Sequence, residues 1–574
     1  MPVSKVIARL LHEVGPLRKY MAIACACGVV GHLAATFLPV FGVAALFAAA
    51  GHKVWNLNVP VAIAAMIVCA LIRGGMRYTE QYMNHNVAFR LLALFRSKTF
   101  AALRRLAPAK LSGKGKGDLI ALVTTDVELL EIFFAHTISP VVIAIVTTAI
   151  YTIALLTLNP AIAIELLIAH LVIGIVLPKL FATAVGGLGS GIRKESASLD
   201  DEMLDNMRGL DEVIRFGQGP ARLADIVART RSLWARRARL SAKNGDFAGF
   251  GAVLVILFTA IAALLVIITS GAAAPLAADG MMASAQWSMS DSAPGLVAAF
   301  ALLASSFGPT LALSALPANL TQTFASARRL FALMDEAPAV TENGDFLPKY
   351  HGMSMHDVVF GYGNSSDGSA SEPILDGVSL DVPQRGILGI QGPSGRGKST
   401  LLKLLMRYWD PDSGLVTLSE VPLPQVDAHH RRRLQTMMGQ ETYLFDGTIR
   451  ENLLMACDVD DSSAPPASDD VLRAALAKAS ALDLVDSLPK GLDTPVGELG
   501  GRLSEGERQR IGLARIFLRN ASLVLFDEPT SRLDAYNESV ILQSIDALAQ
   551  RGSAVLLVSH RDSTMRVADH VIRM

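Results

Sequence analysis

Long stretches without a charged side chain dominate the first half of the chain. No Asp, Glu, Lys or Arg occurs from Met21 to Ala50, Val54 to Ile72, Ile132 to Ile164, Leu166 to Pro178, Phe247 to Ala278 or Ser292 to Ala327. About 20 apolar residues cross a bilayer as a helix, so the pattern predicts six spans. They are placed at about 21–49, 54–74, 133–157, 161–183, 247–269 and 295–317, with Asn159-Pro160 breaking the longest run. Residues 1–20 carry Lys5, Arg9, Arg18 and Lys19 and read as an amphipathic elbow helix. The apolar run behind them is too long for the core of a cleaved signal peptide.

Basic residues give the orientation. The N-terminus, the segment after the second span (Arg73, Arg77, Arg90, Arg96, Lys98, Arg104, Arg105) and the segment after the fourth (Arg193, Lys194, Arg208) are rich in them. The connections at 50–53, 158–160 and 270–294 hold one Lys and no Arg. The positive-inside rule therefore puts the N-terminus, both long polar segments and the C-terminal half in the cytoplasm of a multi-pass inner-membrane protein. Residues 73–131 and 184–246 are too long for simple loops. Their charged, Leu-rich pattern predicts that spans two to five continue as helices beyond the membrane, turning near Gly113–Asp118 and Gly209–Gly219.

The pattern changes near Asp335. Residues 335–349 read as a linker closing a transmembrane domain over 21–334. From 350 to 574, Val/Ile/Leu strand runs alternate with helical patterns, the mark of an α/β domain. Two polar stretches, Gly363–Glu372 and Asp458–Asp470, read as surface insertions. Across 574 residues, 51% are hydrophobic and 18% charged, which excludes a disordered chain. Lys and Arg balance Asp and Glu at 52 each, so there is no basic excess for a nucleic-acid partner. Cys25, Cys27, Cys69 and Cys457 form neither a disulfide framework nor a zinc pattern.

The chemistry lies in the α/β half. Gly392-Pro-Ser394-Gly395-Arg-Gly397-Lys398-Ser399-Thr400 fits the phosphate-binding loop, with an apolar strand before it and a helix after it. Its glycines let backbone N–H groups close on phosphates, Lys398 would meet the β- and γ-phosphates, and Ser399 would hold Mg²⁺. Downstream, Ser522-Leu-Val-Leu-Phe-Asp527-Glu528 delivers Asp527 to the Mg²⁺ shell and Glu528 as a general base for water.

Between these elements lies Leu503-Ser504-Glu505-Gly506-Glu507-Arg508. With it, nearly the whole chain resembles an ATP-binding-cassette half-transporter of the exporter type. The resemblance implies a six-helix transmembrane domain with long cytoplasmic extensions, fused to a P-loop nucleotide-binding domain. It implies that Tyr362 stacks on adenine, Gln440 belongs to the Q-loop and joins the Mg²⁺ site, and Asp534 belongs to the D-loop (Ser531–Asp534). It makes His560 the switch histidine, and Ser504, Gly506 and Glu507 part of the signature offered to a partner's ATP. Gly117-Asp118-Leu119…Asp126 is similar to the segment around the first coupling helix, and Ala325–Pro338 to the connection into the cassette. ATP and Mg²⁺ are the implied ligands, and a second half-transporter the implied partner. Glu505 departs from the family's usual glycine. A carboxylate there repels a phosphate, which favours a heterodimer with one weakened site, unless Glu505 points away.

A narrower likeness concerns cargo. Arg77-Tyr-Thr-Glu-Gln-Tyr-Met-Asn-His85-Asn-Val-Ala-Phe-Arg90 resembles the CydC-like subunits of exporters needed for cytochrome bd assembly. That resemblance implies export of cysteine, glutathione or haem, with Asn84 and Asn86 as departures. His85 is then either a haem ligand or a packed helix histidine, and Arg77 either a membrane-edge anchor or a contact for anionic cargo. Glu165 and His170, inside span four, either line a cavity or make polar interhelical contacts. Two other readings stay open: a lipid, peptide or multidrug exporter, and a mainly regulatory nucleotide-binding subunit.

Overall fold

The protein is described from a computed structural model covering residues 1–111, 115–185, 188–270, 293–314, 316–363, 372–457, 467–531 and 533–574. The expected loop with Met281, Met282 and Trp287, most of both surface insertions, Gly113 and Arg532 lie outside the described residues. The chain divides into two units: Met1–Arg105 with Gly113–Glu336, and Leu106–Ser112 with Ala337–Met574.

The first unit is helical. Val3–Glu13 forms a short amphipathic helix whose Val6 and Leu10, four apart, are fully buried. Its Arg9 pairs with Asp335 at 2.5 Å and lies over the Phe331 ring, fastening it to the end of Leu316–Asp335. Among the described residues, six helices are long and apolar enough to cross a membrane. The first, Arg18–Ala49, carries Pro39 inside it. The second runs unbroken from Val59 to Leu106, 48 residues, and the fifth from Gly219 to Thr269, 51 residues. At 1.5 Å per residue each is roughly 70–75 Å long, more than twice the hydrocarbon core, so both project well past it.

The expectation of matching continuous extensions fails on the ascending side of the first cytoplasmic turn. The chain climbs there through Lys116–Val123, Thr125–Glu128 and Glu131–His136 before Ile138–Leu156. Thr124 and Thr137 leave helical geometry between the pieces. Span four starts at Pro160 with Asn159 accepting from the Ala161 and Ile162 N–H groups, and contains a π-turn at Val172–Val176. Span six breaks between Ala293–Ser305 and Gly308–Ser314.

Polar groups join these helices. Thr36 and Tyr151 share a hydrogen bond of 2.9 Å, and the Ser305 hydroxyl donates to the Thr36 carbonyl. His170 is buried against Thr148, Ser306 and Thr310, so it makes the polar interhelical contact. Glu165 is buried, and neither carboxylate oxygen has a hydrogen-bond partner among the described residues. At the cytoplasmic end, Arg329 pairs with Asp118 and, at 3.2 Å, with Asp126, while Ser326 donates to Asp126. Two segments singled out in the sequence, around Asp118–Asp126 and Ala325–Pro338, thus meet.

The second unit holds two sheets. β1 (Met353–Phe360), β2 (Leu375–Val382), β4 (Ser413–Leu418) and β5 (Val421–Pro422) form an antiparallel sheet in the order β2-β1-β4-β5. β3 (Gly386–Gln391), β6 (Gln435–Met438), β7 (Leu523–Asp527), β8 (Ala554–Ser559) and β9 (His570–Arg573) form a parallel sheet in the order β6-β7-β8-β3-β9. Every residue of β7 and β8 is buried, as continuous apolar runs in a covered parallel sheet require. Residues after Ala337 dock on this unit: buried Arg407 donates to the Thr341 carbonyl, and Arg431 and Arg432 both pair with Glu342.

Candidate functional site

Three adjacent parallel strands, β7, β8 and β3, end on the same edge of the sheet. Ligands bind beyond the carboxyl ends of such strands. The phosphate-binding loop leaves β3, Asp527-Glu528 leaves β7, and His560 leaves β8. Residues more than 160 positions apart therefore converge by sheet order alone.

The loop ends at Gly397, whose φ of +86° opens the helix Lys398–Leu405. A Cβ there would stand 2.7 Å from the Leu375 side chain and 3.0 Å from the Ile374 carbonyl. Glycine is thus required for both conformation and space. Lys398 is buried and donates to the Gly392 and Pro393 carbonyls at 2.8 Å each. Its ammonium therefore lies under the loop, while Ser394 and Gly395 are exposed. Ser399 donates to Asp527 at 2.9 Å. Burial holds the Asp527 carboxyl above the ordinary aspartate range, with the Glu528 charge adding to it and Ser399 opposing it. A hydroxyl and a carboxylate in contact are hard oxygen donors, the kind Mg²⁺ takes, and a cation would relieve the cost of burying that charge.

Glu528 has φ of +48°, an unusual backbone for a residue with a side chain, and its N–H donates to the Val558 carbonyl at 2.9 Å. Its carboxylate lies 3.1 Å from the His560 Nδ1. A carboxylate and an imidazole so arranged, at the mouth of a phosphate loop, can orient and deprotonate a water.

Around this centre, Tyr362 is exposed and stands edge-on to Phe360 and Trp409, with its hydroxyl 3.1 Å from Thr400. An aromatic face so braced can stack on a purine. Gln440 is brought to Ser531, at 3.5 Å. Asp534 caps the helix Ala535–Gln550 by accepting from the Asn537 N–H, which holds its carboxyl below the usual range. Ser504 caps Glu505–Arg519 in a reciprocal box with Glu507. Gly506 lies against Asn537, whose N–H donates to Asp534 of the D-loop, so one residue links signature and D-loop within the chain. Glu505 is paired with Arg508, one turn on, and is not a lone carboxylate. Its i, i+3 spacing is the sequence signal for that partner. A groove lined by Met438, Glu441, Tyr443, Phe445 and Arg515 opens beside the Gln440 segment.

In the membrane unit, Arg77 pairs with buried Glu80 at 2.9 Å. His85 meets Glu131 at 3.1 Å and lies edge-on to His136. These last two partners had no sequence signal, since they come from a separate short helix.

Comparisons with known proteins match this geometry. The family described as ABC transporter transmembrane region matches residues 21–277, and that described as ABC transporter matches residues 375–531. A probable ABC transporter ATP-binding/permease protein of Haemophilus influenzae is 38% identical over 99% of this chain and 97% of its own length. The glutathione/L-cysteine transport system ATP-binding/permease protein CydC of Escherichia coli is 30% identical over 88% of this chain and 83% of its own. The structure of a bacterial Atm1-family ABC exporter with ATP bound superposes with a TM-score of 0.81 at 22% identity, over 97% of this chain and 93% of that one. The chain belongs to the ATP-binding-cassette transporters: it is an exporter half-transporter, a multi-pass membrane protein whose cassette is an ATPase coupled to transport.

Proposed function

We propose that this chain is one half of a heterodimeric exporter whose cargo is a small thiol of the cysteine or glutathione class, or haem, in the service of cytochrome bd assembly. The observation that carries the cargo reading is the similarity to CydC across most of both chains, together with the Arg77–Arg90 motif. Tyr78, Tyr82, His85 and Phe89 follow one another at spacings of four, three and four, which sets them on one helix face, and the three aromatic rings are exposed. A flat aromatic face with an imidazole in it suits haem, whose iron takes an axial histidine nitrogen.

In the cassette, Lys398 and the loop glycines hold the ATP phosphates, Tyr362 the adenine, and Ser399 and Asp527 the Mg²⁺ with Gln440. Mg²⁺, when bound, would neutralise developing charge on the phosphates. Glu528 orients and deprotonates water, and His560 holds Glu528 and senses the γ-phosphate. Ser504 and Gly506 complete the partner's site. Each ATP then lies between two chains, and closure of the cassettes drives the membrane helices. Support for an unlike partner is Glu505, which leaves this chain's signature different from its own P-loop's needs.

The test is uptake into inverted membrane vesicles containing this chain and its co-purified partner. ATP-dependent uptake of labelled cysteine or glutathione, absent in Glu528→Gln, supports the reading. Uptake confined to lipids, peptides or drugs overturns the cargo, and full coupled activity from this chain alone overturns the heterodimer.

A further inference from the structure

His85, Glu131 and His136 each offer a ligating atom, and all of these atoms lie within 4.8 Å of one another. We propose that they form a binding site for one divalent transition-metal ion of the Zn²⁺ class, separate from the ATP site and sharing His85 with the haem reading above.

Two imidazoles and a carboxylate are a donor set that Zn²⁺ accepts, leaving a fourth position for water. Hard cations such as Mg²⁺ and Ca²⁺ prefer all-oxygen sites, so the set discriminates against them. Distances agree with the chemistry. Ligands about 2.0–2.1 Å from a tetrahedral ion stand roughly 3.3 Å from each other. His85 Nδ1 and Glu131 Oε1 are already 3.1 Å apart. The widest pair needs to close by about 1.5 Å at most, which a side-chain rotation of exposed His136 supplies.

The backbone that carries the ligands is held in place. Val87 and Ala88, just after His85, are fully buried, and Asn84 before it is nearly so. Glu131 and His136 begin and end the helix Glu131–His136, whose Phe133 and Phe134 are buried. Phe134 packs on Phe95, of the same long helix as His85, at 6.0 Å between centroids. This packing fixes the two ligand-bearing elements against each other before any ion arrives, as an effective site requires.

An ion there would staple the long second-span helix to the segmented ascent into span three. Because only the folded state presents all three ligands, binding stabilises it in proportion to free ion.

The experiment uses the full-length transporter, purified with its partner, without a polyhistidine tag, and stripped with chelator. Co²⁺ is titrated while visible absorption is recorded, and Zn²⁺ is titrated while the thermal midpoint is followed. One Co²⁺ per chain with the intense bands of a low-coordinate ion, displaced by Zn²⁺, is the expected result. His136→Gln and Glu131→Gln should each weaken binding at least about tenfold. Both should keep the midpoint shift given by ATP, which reports a folded cassette. Identical titrations of wild type and the Glu131→Gln/His136→Gln pair would overturn the site. So would Co²⁺ bands of the weak six-coordinate type. Haem added to the Zn²⁺-loaded protein separates the two readings of His85: the metal site can fail while a Soret band persists, and the reverse.

Discussion

Ser326 donates its hydroxyl to Asp126 across 2.7 Å, in a buried contact joining positions 200 residues apart. The second oxygen of Asp126 lies 3.2 Å from Arg329, which also holds Asp118. The exit of the last span is thereby tied to the ascent into the third. Asp126→Ala removes a buried charged acceptor and leaves Ser326 and part of Arg329 unsatisfied. A loss of about 1.5–3 kcal/mol is expected, read as a lowered thermal midpoint of the purified transporter, with Ser326→Ala losing less.

Glu528→Gln keeps the shape of the site and removes its base. ATP turnover should fall by about 10²–10⁴-fold while nucleotide binding persists. His560→Ala should lower turnover less, because it removes the group that holds Glu528 rather than the base. Turnover at the wild-type rate in Glu528→Gln would remove the assignment of the base.

Gly397→Ala places a methyl group against the Leu375 side chain and the Ile374 carbonyl, at a φ that favours glycine. The loop cannot keep its path, so ATP affinity should drop at least about tenfold, measured by fluorescent-nucleotide displacement. Strand packing elsewhere is untouched, so the fold should survive.

Arg508 holds Glu505 and also donates to the Gly500 and Leu503 carbonyls. Arg508→Ala frees the Glu505 carboxylate at the start of the signature helix, and if that helix meets a partner's phosphate, as proposed, steady-state ATPase should fall. Adding Glu505→Gln should restore part of the loss. The restored part, isolated by the double-mutant cycle, is the electrostatic share. No restoration would mean that Arg508 acts only through the two carbonyls.

Hydrogen bonding from Arg9 holds the Asp335 carboxyl below its ordinary range. A depressed carboxylate pKa adds stability above the unfolded value, and that stability is lost as pH falls through the folded one. The helix Val3–Glu13 should therefore loosen as the solution is acidified below the usual aspartate range. Asp335 is exposed, which keeps the effect small. Amide exchange of Val6–Leu10 against pH checks this, and Asp335→Asn should show the loosened exchange at neutral pH.

Much of this was readable before any coordinates. Six charge-free runs mark the spans, because lipid tolerates few charges. The P-loop and Asp527-Glu528 announce themselves because each is a local pattern at a strand end, whereas His560 is legible only through the family resemblance. What local pattern cannot carry is the partner contributed by a distant element. Sheet order brings Glu528 to His560, and aromatic packing of Phe95 on Phe134 brings Glu131 and His136 to His85. Periodicity also misread the ascent into span three as one helix. Pro140 accounts for the break at Thr137, since it has no N–H for the His136 carbonyl and its ring crowds that oxygen, while the break at Thr124 has no such local signal. The sequence reading leaves open whether Glu505 faces a phosphate or points away, although Arg508 one turn later already offers it a partner.

Arg561, next in sequence to His560, grips the Ser531 carbonyl with one nitrogen and Glu538 with another. Glu538 follows Asn537, which binds Asp534 and abuts Gly506. A tug on the switch histidine is therefore felt one peptide away by the strand of contacts that positions the face shown to the other subunit. If the signature meets a neighbour's nucleotide, as proposed, the two half-sites of this chain are ends of one lever, and occupancy on either side becomes a message to both.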